Sequence, residues 1–531
     1  MPTATVTTPA LPRIRACLQS WRWVLALGLV LGLSFQGSRS LWETDEGRYT
    51  QVALNMLRSG DWLTPHRHHH RIHPTKPPLT YWAIASSVAT FGRTEWAVRL
   101  PNALAFAGTL WLLFWIGTRL VPALPGLPAL IYGTMAVPYF ATNWVSTDVL
   151  LTFFETLAMA CFIAWRWPTA APTVPAPAAS RLWLIGMWLG FGLAFLTKGP
   201  PALLPLLALI GFHLGEPGFA RRGRLFPWLG VLGFLLVGGT WYLLVVMKNP
   251  GLLEYLIKDE VIGRVSSDDF GRFPQWWGGF YVYGFTFLLG TLPWSLAAAW
   301  ATLRGPMRDP APGPTPDPTA SSQRRLLWLW IALPLCLFML SRSRLPLYAL
   351  PLLLPVAVLF ARQLARRPHL LKLSLLLLPV WIVLILAIKW SIAWMPHART
   401  PAELWRITSG AQAYLPQNKD MRAFAHGLLD KVPFTPIELV FVEESPRFGL
   451  GFYLNVETEW IGLDQADPRF DDYLEHELRE REPGQPVDGK KLYLVKADRQ
   501  AAFEAALAKF GWRGVHYGEQ NHLQLLGVEK I

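Results

Sequence analysis

The amino-acid sequence predicts a mostly α-helical, polytopic membrane protein with a C-terminal α/β domain. Three observations lead there. Hydrophobic residues fill 52% of the 531 positions and charged residues only 16%, with a positive mean hydropathy, a balance too apolar for an ordinary soluble chain. Long apolar runs recur along the first three quarters, separated by short arginine-bearing segments. Of the 36 acidic residues only 15 precede position 398, so a water-facing part follows the apolar one. The formal net charge of +13 sits largely on those arginines and reads as a topology signal, which argues against a nucleic-acid partner. Cys17, Cys161 and Cys336 lie in or beside apolar runs without a CxxC, so neither a disulfide framework nor a cysteine metal site is indicated.

Residues 23 to 35, preceded by Arg13, Arg15 and Arg22, form the first run; no convincing cleavage site follows, and an uncleaved first helix is expected. Further runs lie near 97 to 119, 125 to 140, 146 to 165, 182 to 196, 200 to 214, 225 to 247, 278 to 302, 326 to 341, 345 to 361 and 371 to 392. With the N-terminus in the cytoplasm, Arg119, Arg166, Arg181, Arg221, Arg222, Arg224, Arg304, Arg324, Arg325, Arg362, Arg366 and Arg367 all fall inside. About 11–13 spanning helices, an odd number, are expected, with 79 to 92 as an interfacial helix or part of an added pair of spans. The outer side then holds 39 to 78, the approach to Asp148, the turn at Lys198, 248 to 277, the turn at Arg342 and everything after 392. Pro/Ala-rich segments 168 to 180 and 305 to 320 read as inside linkers without helix. Domain boundaries follow: 1–392 is the transmembrane domain, with its catalytic loop at 39–78, and 393–531 is a soluble outer α/β domain. In the latter, 420 to 431 and 498 to 510 read as helices, the second with Asp498 as N-cap, and 436 to 443, 491 to 496 and 522 to 528 as strands.

The outer segments carry the chemistry. Asp45 and Glu46 follow a spanning helix at the boundary where a lipid head group lies, and a carboxylate there serves as a general base. A solvated loop acid is an equal reading. Lys76, in TKPPLTYW, is stiffened by prolines and suits a phosphate; a snorkelling lysine reads as well. Asp148 opens TDVLLTFFETLAMA at the outer edge, with Glu155 seven residues on and about 10 Å deeper, where pairing with a buried arginine or a bond between helices is expected. Lys258, Asp259, Glu260, Arg264, Asp268, Asp269 and Arg272 gather in one loop before a tryptophan pair, as an interfacial segment gripping an anionic head group does. Lys198 in LTKGPP and Arg342 and Arg344 in SRSRLPLY are outer cations against the usual bias, and phosphate contacts account for them. His66, His68, His69, His70 and His73 cluster without cysteines, and no metal is assigned to them.

The segments DEGRYTQVALNMLRSGDWLTP, KPPLTYW, FGRTEWAVRLPNAL, TDVLLTFFETLA, GLAFLTKGPPALL and SRSRLPLYALPLL together resemble the bacterial ArnT-like and protein O-mannosyltransferase-like glycosyltransferases of the GT-C superfamily. The resemblance covers about residues 40 to 360. It implies a multi-pass bacterial inner-membrane enzyme that moves a sugar, with inversion, from a polyprenyl (undecaprenyl) phosphate carrier to a periplasmic acceptor. It implies Asp45 as principal catalytic carboxylate, Asp148 as second acid, and Lys76 and Arg264 on the carrier phosphate. Glu46, Arg48, Tyr81, Lys198, Arg342 and Arg344 join them as candidate substrate-binding residues. Two positions depart from the pattern: Thr75 stands where relatives commonly have an acid, and Val261 where they commonly have a histidine. A divalent metal, and lipid A as acceptor, are therefore left open. The acceptor reads as a glycolipid, lipid A or lipopolysaccharide core, with a secreted protein as the alternative; a lipid-linked sugar transporter is the reading from another class, disfavoured by the absence of repeats.

Overall fold

In the computed structural model of the chain, residues 10–43, 45–68, 71–168, 176–215, 225–258, 272–303, 317–394, 420–464, 470, 472–479 and 490–531 are described. Each apolar run is helical, because in hydrocarbon a backbone must satisfy its own hydrogen bonds. Among the described residues six helices are long and apolar enough to cross a membrane: Glu95–Leu120, Asp148–Arg166, Trp228–Lys248, Pro318–Leu340, Pro346–Ala365 and Pro368–Trp390. Trp21–Leu33 and Pro200–Leu214 are shorter apolar helices. The last long helix exposes Leu373, Leu376, Leu377, Val380, Val383 and Leu384, a surface suited to lipid and not to water. The chain is a membrane protein.

Two runs are broken. Residues 125 to 140 fold as Leu127–Thr134 and Ala136–Ala141, and 278 to 302 as Gly278–Leu288 and Trp294–Leu303 around Pro293, which lacks the N–H that a continuous helix needs. The linkers are more helical than expected. A helix runs from Ala176 to Lys198, and Pro318–Leu340 starts with proline in its first turn and Asp317 as N-cap, accepting from Thr319 N at 2.8 Å. Proline is tolerated at that position because its missing N–H would be unsatisfied anyway. Residues 169–175 and 304–316 lie outside the described residues.

The chain divides into two compact units: Met1–Ser34 with Thr75–Thr80 and Leu100–Ile388, and Phe35–Pro74 with Tyr81–Arg99 and Lys389–Ile531. In the first, Asp148–Arg166 packs along Ala176–Lys198, with Leu151, Ala194 and Ala202 buried between Phe154 and Phe195.

The second unit carries a mixed sheet. Its strands are β3 (Glu438–Val442), β4 (Glu457–Gly462), β5 (Asp472–Tyr473), β6 (Lys491–Lys496), β7 (Trp512–Gln520) and β8 (Leu523–Lys530), in the order β5-β4-β3-β6-β8-β7; β1 (His66–His68) and β2 (Arg71–Ile72) form a separate hairpin. Central β3 is parallel to β4 and β6 and buried at every position, which is why LVFV, after Glu438, reads as a continuous apolar run. Leu439 and Phe441 face the helix Met421–Leu429, while Val440 and Val442 face Gln500–Lys509 with Phe503 and Leu507. Burying each such side chain contributes about 1.5–3 kcal/mol. The last helix begins at Gln500, and Arg499, not Asp498, occupies the N-cap without a side-chain bond. Sequence periodicity missed β4, β5 and β7: β4 carries two glutamates, β5 has two residues, and edge strand β7 carries Gly514 and Gly518.

Candidate functional site

The loop expected at 39–78 contains a helix, Asp45–Ser59, whose first turn presents Asp45 and Glu46. Helical geometry sends these neighbours in different directions. Glu46 is fully buried. Its Oε2 accepts from Arg39 at 2.5 Å, Arg99 at 3.0 Å and the Trp42 amide at 2.9 Å; its Oε1 accepts from Arg39 at 2.9 Å and Arg99 at 3.2 Å. Arg99 also donates to the carbonyls of Gln36, Arg39 and Ser40, each at 2.8 Å. Burial alone would raise the Glu46 carboxyl, but the two guanidiniums overcome it and hold it at about 2. Burial and neighbouring Arg99 push Arg39 down to about 10. Glu46, expected to bind substrate, is instead the pin that fixes the entry of the Asp45 helix.

Asp45 keeps 31% of its side chain exposed and pairs with Arg48 at 2.6 Å. Arg48 lies over the Tyr49 ring at 5.9 Å, and Tyr49 packs tilted on Tyr81 at 5.6 Å, so Asp45, Arg48 and Tyr81 do gather. Sequence reasoning passed over Glu43. It is buried, Oε1 accepts from the Gly449 amide, and Oε2 accepts no hydrogen bond among the described residues. Burial pushes its carboxyl up to about 8, against the pull of the Gly449 N–H, Arg447 and Arg48. The signal for it was weak: one acid two residues before an acidic pair.

In the first unit, Asp148 opens the helix Asp148–Arg166 and Lys198 closes Ala176–Lys198. Gly199, at φ +73°, makes the turn that ends the second helix, a conformation only glycine adopts without strain. Lys198 Nζ donates to Asp148 Oδ1 and lies 4.3 Å from the centroid of Tyr348, with both charged side chains only about a tenth exposed. Glu155 is buried one helical stretch away. Its charged neighbours are Lys198 and Asp148, not the arginine expected, and its Oε2 accepts no hydrogen bond among the described residues. Lys76 donates to the Thr75 carbonyl at 2.8 Å. Arg342 is exposed, whereas Arg344 is buried and spends its guanidinium on the carbonyls of Phe273 at 2.5 Å, Gln275 at 2.8 Å and Met339 at 2.9 Å. Arg344 thus braces the chain around Phe273. Arg264, with Asp259, Glu260, Asp268 and Asp269, lies outside the described residues, as do His69 and His70.

Position 75 offers a hydroxyl where relatives commonly hold a carboxylate, and Val261, outside the described residues, has no donor atom. That pair does not fit a metal, and no step below is routed through one. His68 is fully buried, Nε2 2.9 Å from Glu438 Oε1 and Nδ1 3.8 Å from Glu459 Oε1. Against burial, His68 and Lys491 hold Glu438 at about 2, while burial and Glu438 push Glu477 up to about 7. Burial, then Glu477 and Glu438, raise Glu459 well above the usual carboxylate range.

Residues 75–242 match the family described as dolichyl-phosphate-mannose-protein mannosyltransferase. Among curated proteins, the chain is 30% identical over 349 residues to undecaprenyl phosphate-alpha-4-amino-4-deoxy-L-arabinose arabinosyl transferase 2 of Sodalis glossinidius, covering 64% of this chain and 58% of that protein. The corresponding Pseudomonas aeruginosa transferase is 32% identical over 364 residues, 66% of this chain and 60% of that one. In sequence the chain therefore spans less than two thirds of the length of these relatives. In fold it matches more: the crystal structure of ArnT from Cupriavidus metallidurans bound to undecaprenyl phosphate superposes with a TM-score of 0.68, at 21% identity, over 95% of this chain and 97% of that one. The apo form of that protein gives 0.66 over 98% of each. The chain thus has the fold of ArnT nearly throughout, and sequence similarity to aminoarabinose transferases over about two thirds of its length.

Proposed function

We propose that the chain is an inverting glycosyltransferase that moves a sugar from undecaprenyl phosphate to a cell-envelope glycolipid, lipid A or lipopolysaccharide core. The observation that carries this is the split between two adjacent carboxylates. Glu46 is sealed under two arginines, while Asp45 stays partly open on the helix end that Glu46 anchors, 2.6 Å from Arg48. A fixed, accessible carboxylate on a rigid element suits a group that orients an acceptor oxygen or takes its proton. In the reaction the bond from the anomeric carbon to the carrier phosphate breaks and the acceptor oxygen bonds from the opposite face. The bonding pair leaves with the phosphate, where negative charge grows, and cations there lower the barrier. Lys76 and Arg264 take that role in our reading. Asp148, neutralised by Lys198, is the second acid, and Arg342 is a further outer cation. The N-terminus lies in the cytoplasm, the crossings are odd in number, and the C-terminal part faces the periplasm of a bacterial inner membrane.

The match of residues 75–242 to a protein-mannosyltransferase family favours one second reading, a Ser or Thr of a secreted protein as acceptor. Mass spectrometry of lipid A, core oligosaccharide and polyprenyl-phosphate sugars tests both, in a deletion strain complemented by wild type or Asp45→Asn. A sugar missing from the glycolipid, restored only by wild type, with its carrier accumulating, is the expected result. An unchanged glycolipid refutes the first reading and turns the search to secreted glycoproteins.

A further inference from the structure

The sheet of the second unit buries more carboxylate than its cations neutralise. The register places Glu457, Glu438 and Lys491 in one row across β4, β3 and β6, and Glu459, Val440 and Tyr493 in the next row of the same face. Glu438, Glu459 and Glu477 are at most 2% exposed. Lys491 Nζ lies 2.9 Å from Glu438 Oε2 and 2.9 Å from Glu477 Oε2. Neither oxygen of Glu459 accepts a hydrogen bond among the described residues. Three buried carboxylates thus share one lysine, and a buried carboxylate without a cation beside it is costly.

One divalent cation cancels that excess. The ligand atoms of His68, Glu438 and Glu459 lie within 4.8 Å of one another, so that side-chain shifts of a few tenths of an ångström bring them to the reach of an ion with nitrogen and oxygen ligands at about 2.0–2.2 Å. A second trio, Glu459, Asp472 and Glu477, meets the same separation and shares Glu459. The donor set narrows the ion: imidazole with carboxylates suits zinc and its transition-metal neighbours, whereas calcium and magnesium prefer oxygen alone.

We propose that His68, Glu438 and Glu459 form a divalent transition-metal site, with zinc the fitting ion, that clips the β1–β2 hairpin to the C-terminal sheet. Glu459 and Nδ1 of His68 are the direct ligands. Glu438 accepts the Nε2 proton, which fixes the tautomer that leaves Nδ1 its lone pair, and so supports the site from the far edge of the ring. The site does not use positions 75 and 261, and it stands whether or not the chain transfers a sugar.

The test uses the full-length protein in detergent, purified on a tag without histidine, stripped with chelator and dialysed against zinc. Metal content and thermal midpoint are compared for wild type, Glu459→Gln and His68→Gln. The expected result is about one more zinc per chain in wild type than in either variant, with a midpoint that zinc raises in wild type alone. Equal zinc in all three means adventitious binding by exposed histidines and overturns the proposal. If neither variant folds, wild type decides: a midpoint that is the same stripped and loaded overturns the site.

Discussion

Glu46→Gln is nearly isosteric and removes one charge. It leaves Arg39 and Arg99, 4% and 0% exposed, without the carboxylate that both grip. The descent of that carboxyl from an ordinary 4.5 to about 2 corresponds to roughly 3 kcal/mol in favour of its charged form, at about 1.4 kcal/mol per pH unit. Breaking a buried pair by removing one partner costs about 3–5 kcal/mol, in agreement. Because the folded-state value is depressed, this stability is fully present above about 4.5 and lost only as pH falls through about 2. The gap between wild type and Glu46→Gln is therefore flat from pH 6 to 8. Unfolding of the purified protein in detergent, followed by tryptophan fluorescence, is expected to show a midpoint roughly 3–5 °C lower in the variant. Glu46→Asp, which keeps the charge, loses less. A Glu46→Gln midpoint within about 2 °C of wild type refutes the reasoning, because the carbonyls of Gln36, Arg39 and Ser40 then suffice for the arginines.

Other perturbations follow from the same geometry. Asp45→Asn is expected to lower sugar transfer by about 10²–10⁴-fold while leaving the thermal midpoint near wild type, since the side chain is partly open; equal loss of both identifies a structural residue. A methyl group at Gly47 would meet Glu43 Oε1 at 2.1 Å and the Gly449 amide at 2.4 Å, so Gly47→Ala costs about 1–3 kcal/mol in the same unfolding assay, and an unshifted midpoint contradicts the packing. Glu43 binds its proton up to about pH 8 when folded but only to about 4.5 when unfolded, so its contribution is full below 4.5 and falls as pH rises to 8, by up to about 5 kcal/mol. Glu43→Gln flattens that descent; parallel pH–stability curves for variant and wild type disprove it. Lys198→Met strands the buried Asp148 carboxylate and is expected to destabilise by about 3 kcal/mol, with Asp148→Asn in the same chain restoring much of the loss; additive effects exclude the pairing.

The local part of this protein was legible in its sequence. Apolar runs became helices because hydrocarbon leaves the backbone no partner but itself, and the shift to acidic residues after position 398 marked the α/β part. Of the candidate residues, Asp148 pairs with Lys198 and Asp45 with Arg48. What sequence left undetermined was which partner each charge would meet. Glu46 and Asp45 read alike as acids at a boundary, yet one is locked by Arg99, 53 positions away, and the other is open. Arg344 read as a cation for phosphate and donates to three carbonyls, and within the histidine run His68 is buried against Glu438, 370 positions on. Periodicity reports the face of an element within a few residues along the chain; the partner of a buried charge is set by long-range packing and strand register, and only the tertiary structure decides it.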